Sequence, residues 1–325
     1  MDRMTRTHYR IDPELAAAAE LFDPLDPDDH AASRAAMASM PLPGYEPHQS
    51  VTVSEHVLDG SSGSPGSAGP SGSDVRVRLY RPDRPAPHPA ILYPHWGGFV
   101  AGGLDLVDAA ARRMADQVGA VVVSVDYRLA PEHPYPAALD DCWTALTWTV
   151  EHSATLGIDP DRVAVVGESA GGGLAAALAL RARDWGGPTL AFQALSFPQL
   201  DDRLDTVSAR AFTDTPMWDR RSASASWRDY LAGQPADRYA APARADDLTG
   251  LPPTFVAACE FDPLRDEDLT YATRLVAAGV PTELHLYPGT FHASTAVGTA
   301  AVSRRMIDDL ITALRTALTE TDPAR

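Results

Sequence analysis

The sequence predicts an α/β fold, a mainly parallel, eight-stranded sheet flanked by helices. Two observations predict it. From Pro89 onward, short apolar runs alternate with longer alanine-rich runs of helical period, the rhythm that a parallel sheet with crossover helices requires. The residues able to do chemistry follow directly on the apolar runs, and open α/β sheets gather their sites at the carboxyl ends of strands.

Taken in order, residues 13–22 and 29–40 are periodic and helical, the second run stopped by Pro41 and Pro43. Residues 51–57 and 75–80 alternate apolar with polar side chains, as two neighbouring strands with one buried face do. Between them, 59–74 is a Gly/Ser/Pro stretch too poor in apolar groups to pack, expected to be a mobile surface loop without chemistry. Strands follow at 90–93, 121–126, 163–166, 190–195, 254–259 and 283–287, which with the first two makes eight. Helical patterns fall at 108–118, 136–152, 172–183, 266–278 and 297–316. Between Asp201 and Leu251 no strand pattern occurs, only helix-like pieces around 218–231, an excursion out of the sheet.

Composition narrows the chemistry. The chain has 325 residues, 45% of them hydrophobic, enough for one large domain or two small ones with a sizeable core. All 27 basic residues are arginine, so a lysine Schiff base, a lysine nucleophile and a P-loop are excluded together. A net charge of -17 repels a phosphate backbone, and nucleic-acid binding is not expected. Cys142 and Cys259, far apart in sequence, form neither a disulfide framework nor a zinc spacing, and Cys259 reads as a buried structural thiol. Residues 1–10 lack an apolar signal region and no run approaches membrane-span length, so a soluble, cytoplasmic protein is expected.

The sharpest local signal is Gly167-Glu168-Ser169-Ala170-Gly171, directly after one strand and before an alanine-rich helix. A serine there sits on a tight strand-to-helix turn with free helix N–H groups beside its hydroxyl. A hydroxyl needs a base, and the base an orienting acid. Asp262 follows the strand at 254–259 and His292 the strand at 283–287, giving the chain order Ser, Asp, His of α/β-hydrolases. Asp266 and Glu267 are rivals for the acid, whereas His285, within a strand, reads as a packing or surface residue. Donors for a developing oxyanion are expected in His95-Trp96-Gly97-Gly98, upstream of the serine, where consecutive glycines let backbone N–H groups approach.

With these segments, and with 126–134 (DYRLAPEHP), Pro136-Ala137-Ala138, Gly-Glu-Ser-Ala-Gly-Gly and Asp262-Pro263-Leu264-Arg265-Asp266, nearly the whole chain resembles the hormone-sensitive-lipase group (family IV) of bacterial carboxylesterases in the α/β-hydrolase superfamily. The resemblance implies Ser169 as nucleophile, His292 as base and Asp262 as its orienter. It implies an oxyanion hole of the N–H groups of Gly97, Gly98 and Ala170. It further implies a helical cap made of residues 1–50 and 201–250 over a hydrolase core of 51–200 and 251–325, short- or medium-chain acyl esters as small-molecule substrates, no cofactor or metal, and plausibly a homodimer. His95, Tyr127 and Glu132 read as loop supports.

One position departs from the family pattern, which has glycine where this chain has Trp96. The indole either packs under the cap or reshapes the substrate pocket, and a loop needing positive φ there would be strained by it. Trp96→Gly is expected to keep hydrolysis and shift the acyl-length profile. Two other functions fit the same scaffold: an acyltransferase, lactonase or amide hydrolase acting on one biosynthetic intermediate, and a non-catalytic small-molecule receptor, which would ordinarily lack a triad member.

Overall fold

A computed structural model of the chain describes residues 9–22, 26–40, 42, 44–59 and 73–319. The strands are β1 (Val51–Leu58), β2 (Val75–Pro82), β3 (His88–Pro94), β4 (Val121–Asp126), β5 (Ile158–Glu168), β6 (Phe192–Ser196), β7 (Thr254–Phe261) and β8 (Thr282–Phe291). They form one sheet in the order β1-β2-β4-β3-β5-β6-β7-β8, with β2 antiparallel to both its neighbours and every other pairing parallel. All eight expected strands are present. The expected loop falls almost entirely on residues 60–72, outside the described residues.

The helices are α1 (Pro13–Ala19), α2 (His30–Ala38), α3 (Asp108–Val118), α4 (Ala137–Glu151), α5 (Ser153–Leu156), α6 (Ser169–Trp185), α7 (Val207–Ala211), α8 (Arg220–Leu231), α9 (Arg265–Ala277) and α10 (Ala301–Thr319). The central strands are buried on both faces, which is why they read as unbroken apolar runs. Leu92, Val123 and Val165 point into a core shared with α4, α6 and α9, while Ile91, Val122 and Ala164 point into a second core under α3 and α10. Helix α6 is buried from Ser169 to Ala182, and its alanines let it lie close against the sheet. Cys142 and Cys259 are both fully buried, and burial pushes both thiols up. Among the described residues no helix is long and apolar enough to cross a membrane.

Outside the sheet, the N-terminal helices meet the excursion between β6 and β7. The Met217 N–H donates to the Phe22 carbonyl (3.0 Å), Arg221 pairs with Asp26 and Asp28, and His30 pairs with Asp229 at 3.2 Å. Arg34 of α2 reaches the core: its guanidinium donates to the Val100 and Ala130 carbonyls (2.7 and 3.0 Å) and holds Glu132 through two bonds. The two segments thus stand together above the carboxyl ends of the strands.

Candidate active site

β5 ends at Glu168, and Ser169 opens α6 with a left-handed φ of +52°. A residue bearing Cβ seldom takes that conformation, and here it makes the sharp turn that presents a side chain at a helix N-terminus. The turn is packed tightly enough to exclude side chains on either side. A Cβ on Gly171 would lie 2.3 Å from the Pro94 carbonyl oxygen, and one on Gly167 would lie 2.1 Å from the Gly171 carbonyl oxygen.

Sheet register brings the other two groups together. Phe261 at the end of β7 pairs with Phe291 at the end of β8, so the next residue of each strand, Asp262 and His292, stand side by side. His292 Nδ1 lies 2.7 Å from Asp262 Oδ2, and His292 Nε2 lies 2.9 Å from Ser169 Oγ. With Nδ1–H donating to the carboxylate, Nε2 keeps its lone pair and accepts from the serine hydroxyl. Asp262 is fully buried, its other oxygen accepting from the Leu264 N–H at 2.9 Å. The imidazole is fixed by Trp218, which stacks on it at 5.6 Å, and by Phe197, edge-on at 5.1 Å.

The rivals are engaged elsewhere. Asp266 accepts from the Ser208 N–H and pairs with Arg265, while Glu267 accepts from the N–H groups of Leu200 and Asp201. His285 is half-buried and bonded to Glu283 at 2.7 Å. Glu267 and Asp268 are buried carboxyls near Asp262, and desolvation pushes both well above the ordinary carboxylate range. Glu168, beside Ser169, is pushed up to about 7 by burial, while its bond with Tyr93 and the nearby His292 oppose the shift.

The loop after β3 carries its positive φ values at Gly97 (+133°), Gly98 (+60°) and Phe99 (+62°), while Trp96 keeps an ordinary negative φ. The strain expected at Trp96 is therefore absent, because the left-handed part of the loop begins one residue later. Phe99 bears that strain instead, fully buried and stacked on Tyr230 at 3.9 Å. The loop's carbonyls are turned into the protein: Gly97 O accepts from the Ala101 N–H at 3.0 Å, and Gly98 O accepts from Ser226 Oγ at 2.7 Å. Gly97, Gly98, Ser169 and His292 line one cleft. Ala170 is the second residue of α6, where the backbone N–H has no partner within the helix.

The three residues read as loop supports bear on this loop. His95 is buried, its ring stacked 4.0 Å from Tyr127 and its Nδ1–H donating to the Trp96 carbonyl (2.8 Å). Burial lowers its pKa to about 4, so the ring is neutral. The Tyr127 hydroxyl donates to the His95 carbonyl at 2.8 Å, and Glu132 holds Arg34.

The cleft has a cavity volume of about 50 Å³, walled by His30, Ser33 and Met37 on one side and Met217, Trp218 and Ser222 on the other. Sequence reading missed Trp218, Phe197 and Arg34, which no spacing rule marks; Phe197 alone leaves a trace, in a Ser-Phe-Pro break directly after β6. Among the described residues, no group of three or more His, Cys, Asp or Glu is arranged to hold a metal ion.

A family model described as alpha/beta hydrolase fold matches residues 91–296. Among curated proteins, the chain is 44% identical over 251 residues to esterase LipI of Mycobacterium tuberculosis, covering 75% of each chain. It is 46% identical over 227 residues to carboxylesterase NlhH of the same species, covering 68% of this chain and 71% of that one. Among solved structures, a bacterial heroin esterase superposes with a TM-score of 0.86 at 43% identity, over 95% of this chain and 98% of that one.

Proposed function

The chain belongs to the α/β-hydrolase family that holds the hormone-sensitive-lipase-like bacterial carboxylesterases, and from that premise we propose a serine esterase that works on short- to medium-chain acyl esters through an acyl-enzyme at Ser169. In this reading Ser169 Oγ attacks the ester carbonyl carbon while His292 Nε2 takes the hydroxyl proton. Asp262 holds Nδ1–H and stabilises the imidazolium. The N–H groups of Gly97, Gly98 and Ala170 donate to the oxyanion. The carbon–oxygen bond to the alcohol breaks as His292 returns the proton to the departing oxygen. A water, deprotonated by the same Nε2, then attacks the acyl carbon and releases the acid, with the proton restored to Ser169.

The observation that carries this reading is the unbroken line from Asp262 Oδ2 through His292 to Ser169 Oγ, with spacings of 2.7 and 2.9 Å. The N-terminal 1–50 and the 201–250 segment act in it as the two parts of a cap, supported by the shared walls of the cleft and the Arg34 tether. The test is a nitrophenyl ester series on the purified chain with Ser169→Ala as control. Hydrolysis by the parent and none by the variant supports the reading; equal hydrolysis by both overturns it. Adding an alcohol acceptor separates hydrolysis from acyl transfer. The reading extends to a cytoplasmic homodimer, checked by fractionation and light scattering.

A further inference from the structure

Beside the triad cleft lies a second chamber that this mechanism leaves unused. It sits between α3 and α10 over the ends of β3 and β5, partly open to solvent, with a cavity volume of about 100 Å³. The triad cleft has about 50 Å³, so the chamber is the roomier of the two. Leu106, Met114, Ile307 and Ile311 make its walls apolar, and the small side chains of Ala110 and Ala296 keep part of the lining shallow. Trp96 and Ala293 line both this chamber and the triad cleft, so these two residues stand where the two spaces adjoin.

The chamber's polar groups fit an apolar occupant. Arg113 is turned toward the Tyr45 ring, 4.6 Å from its centroid. Glu168, the residue before the nucleophile, is hydrogen-bonded with Tyr93 and carries its proton for much of the time at neutral pH, because burial pushes it up to about 7. An apolar lining with little standing charge takes hydrocarbon more readily than a polar group.

We propose that this chamber receives the apolar arm, alkyl or aryl, of the ester whose carbonyl sits at Ser169, and that the Trp96 indole sets how much of that arm enters. The proposal rests on the esterase reading and deepens it by naming a second subsite. The two residues common to both spaces stand next to the reacting groups, since Trp96 immediately precedes the oxyanion glycines and Ala293 immediately follows the base.

Two substrate series on the full chain test it: nitrophenyl esters from acetate to octanoate, which extend the acyl side, and acetate esters from ethanol to octanol, which extend the alcohol side. Trp96→Ala is expected to change the long-to-short ratio of kcat/KM by about tenfold or more in one series, and that series names the side of the ester that enters. Ala110→Trp on α3 and Ala296→Phe after β8 fill the chamber from other directions. Each is expected to cancel that change when combined with Trp96→Ala, and having two such positions on different elements keeps the test open if one variant fails to fold. Ratios within about threefold of the parent in both series, or a Trp96→Ala change that survives both filling substitutions, would overturn the proposal. Acetate ester hydrolysis that Ser169→Ala abolishes would leave the esterase reading standing in either case.

Discussion

Gly97→Ala probes the oxyanion loop at its least forgiving point. Its Cβ would lie 2.1 Å from the Ala101 carbonyl oxygen and 2.7 Å from the carbonyl carbon, both backbone atoms that cannot rotate away. An ordinary carbon–oxygen contact is roughly 3.3 Å, so the turn must open by about 1.2 Å. The φ of +133° compounds this, being a conformation that L side chains rarely adopt. An oxyanion donor works within roughly 2.7–3.1 Å of the developing charge, and a displacement above 1 Å removes the Gly97 N–H from that range. Loss of one such donor raises the barrier by about 2.7–4 kcal/mol, so kcat on nitrophenyl acetate should fall by roughly 10²–10³ while KM changes little. Backbone strain alone costs about 1–3 kcal/mol of stability, which a melting curve reads separately. Gly279→Ala is the control: φ is +79° but nothing lies within 4 Å of the added carbon. That variant should lose stability and keep kcat. A folded Gly97→Ala enzyme with kcat within about threefold of the parent would refute the placement of the donors.

Asp262→Asn should lower kcat by about 10⁴-fold, because the amide no longer holds the Nδ1–H tautomer, whereas Asp266→Asn should leave the steady-state rate near that of the parent; equal losses would dissolve the distinction between the two carboxylates. Glu168 binds its proton more tightly when folded than the ordinary value of 4.5, so raising the pH from about 4.5 to about 7 favours the unfolded chain. The Tm advantage of Glu168→Gln over the parent should therefore be absent below that window, grow across it and stay constant above pH 7; an advantage independent of pH would contradict the buried-carboxyl account. Arg34→Ala removes two bonds to backbone carbonyls and should lower stability by about 1–2 kcal/mol in denaturant unfolding with a several-fold rise in KM. An unchanged midpoint and KM would show that α2 needs no such tether.

Much of the fold was legible because its central strands are buried on both faces. Residues 121–126 and helix 108–118 coincide with the structure, since an apolar run bounded by Gly119-Ala120 and a helix stopped by Gly119 leave little freedom. Where polar residues enter a strand, the boundary blurs. β5 begins at Ile158, five residues before the expected 163, because Asp159-Pro160-Asp161 hides its start. β8 runs on to Phe291 through Pro288-Gly289, four residues past the expected end at 287. Ser169, Asp262 and His292, the proposed triad, could be singled out because each follows a strand directly, whereas their contacts could not. That Asp262 and His292 are neighbours depends on the pairing of β7 with β8, and that Trp218 covers the imidazole depends on how the excursion folds back over the sheet, which its helical period does not tell. Sequence likewise gave Trp96 as an oddity in a glycine loop, without showing that φ turns positive only at the following residue or that a chamber lies behind the indole.

The account stands most directly on which atom becomes acylated. Incubating the chain with a fluorophosphonate probe and mapping the labelled peptide should place a single adduct on Ser169, formed rapidly by the parent and slowly by the His292→Ala variant. A parent enzyme that hydrolyses esters yet carries the label on another residue, or carries none, would contradict it.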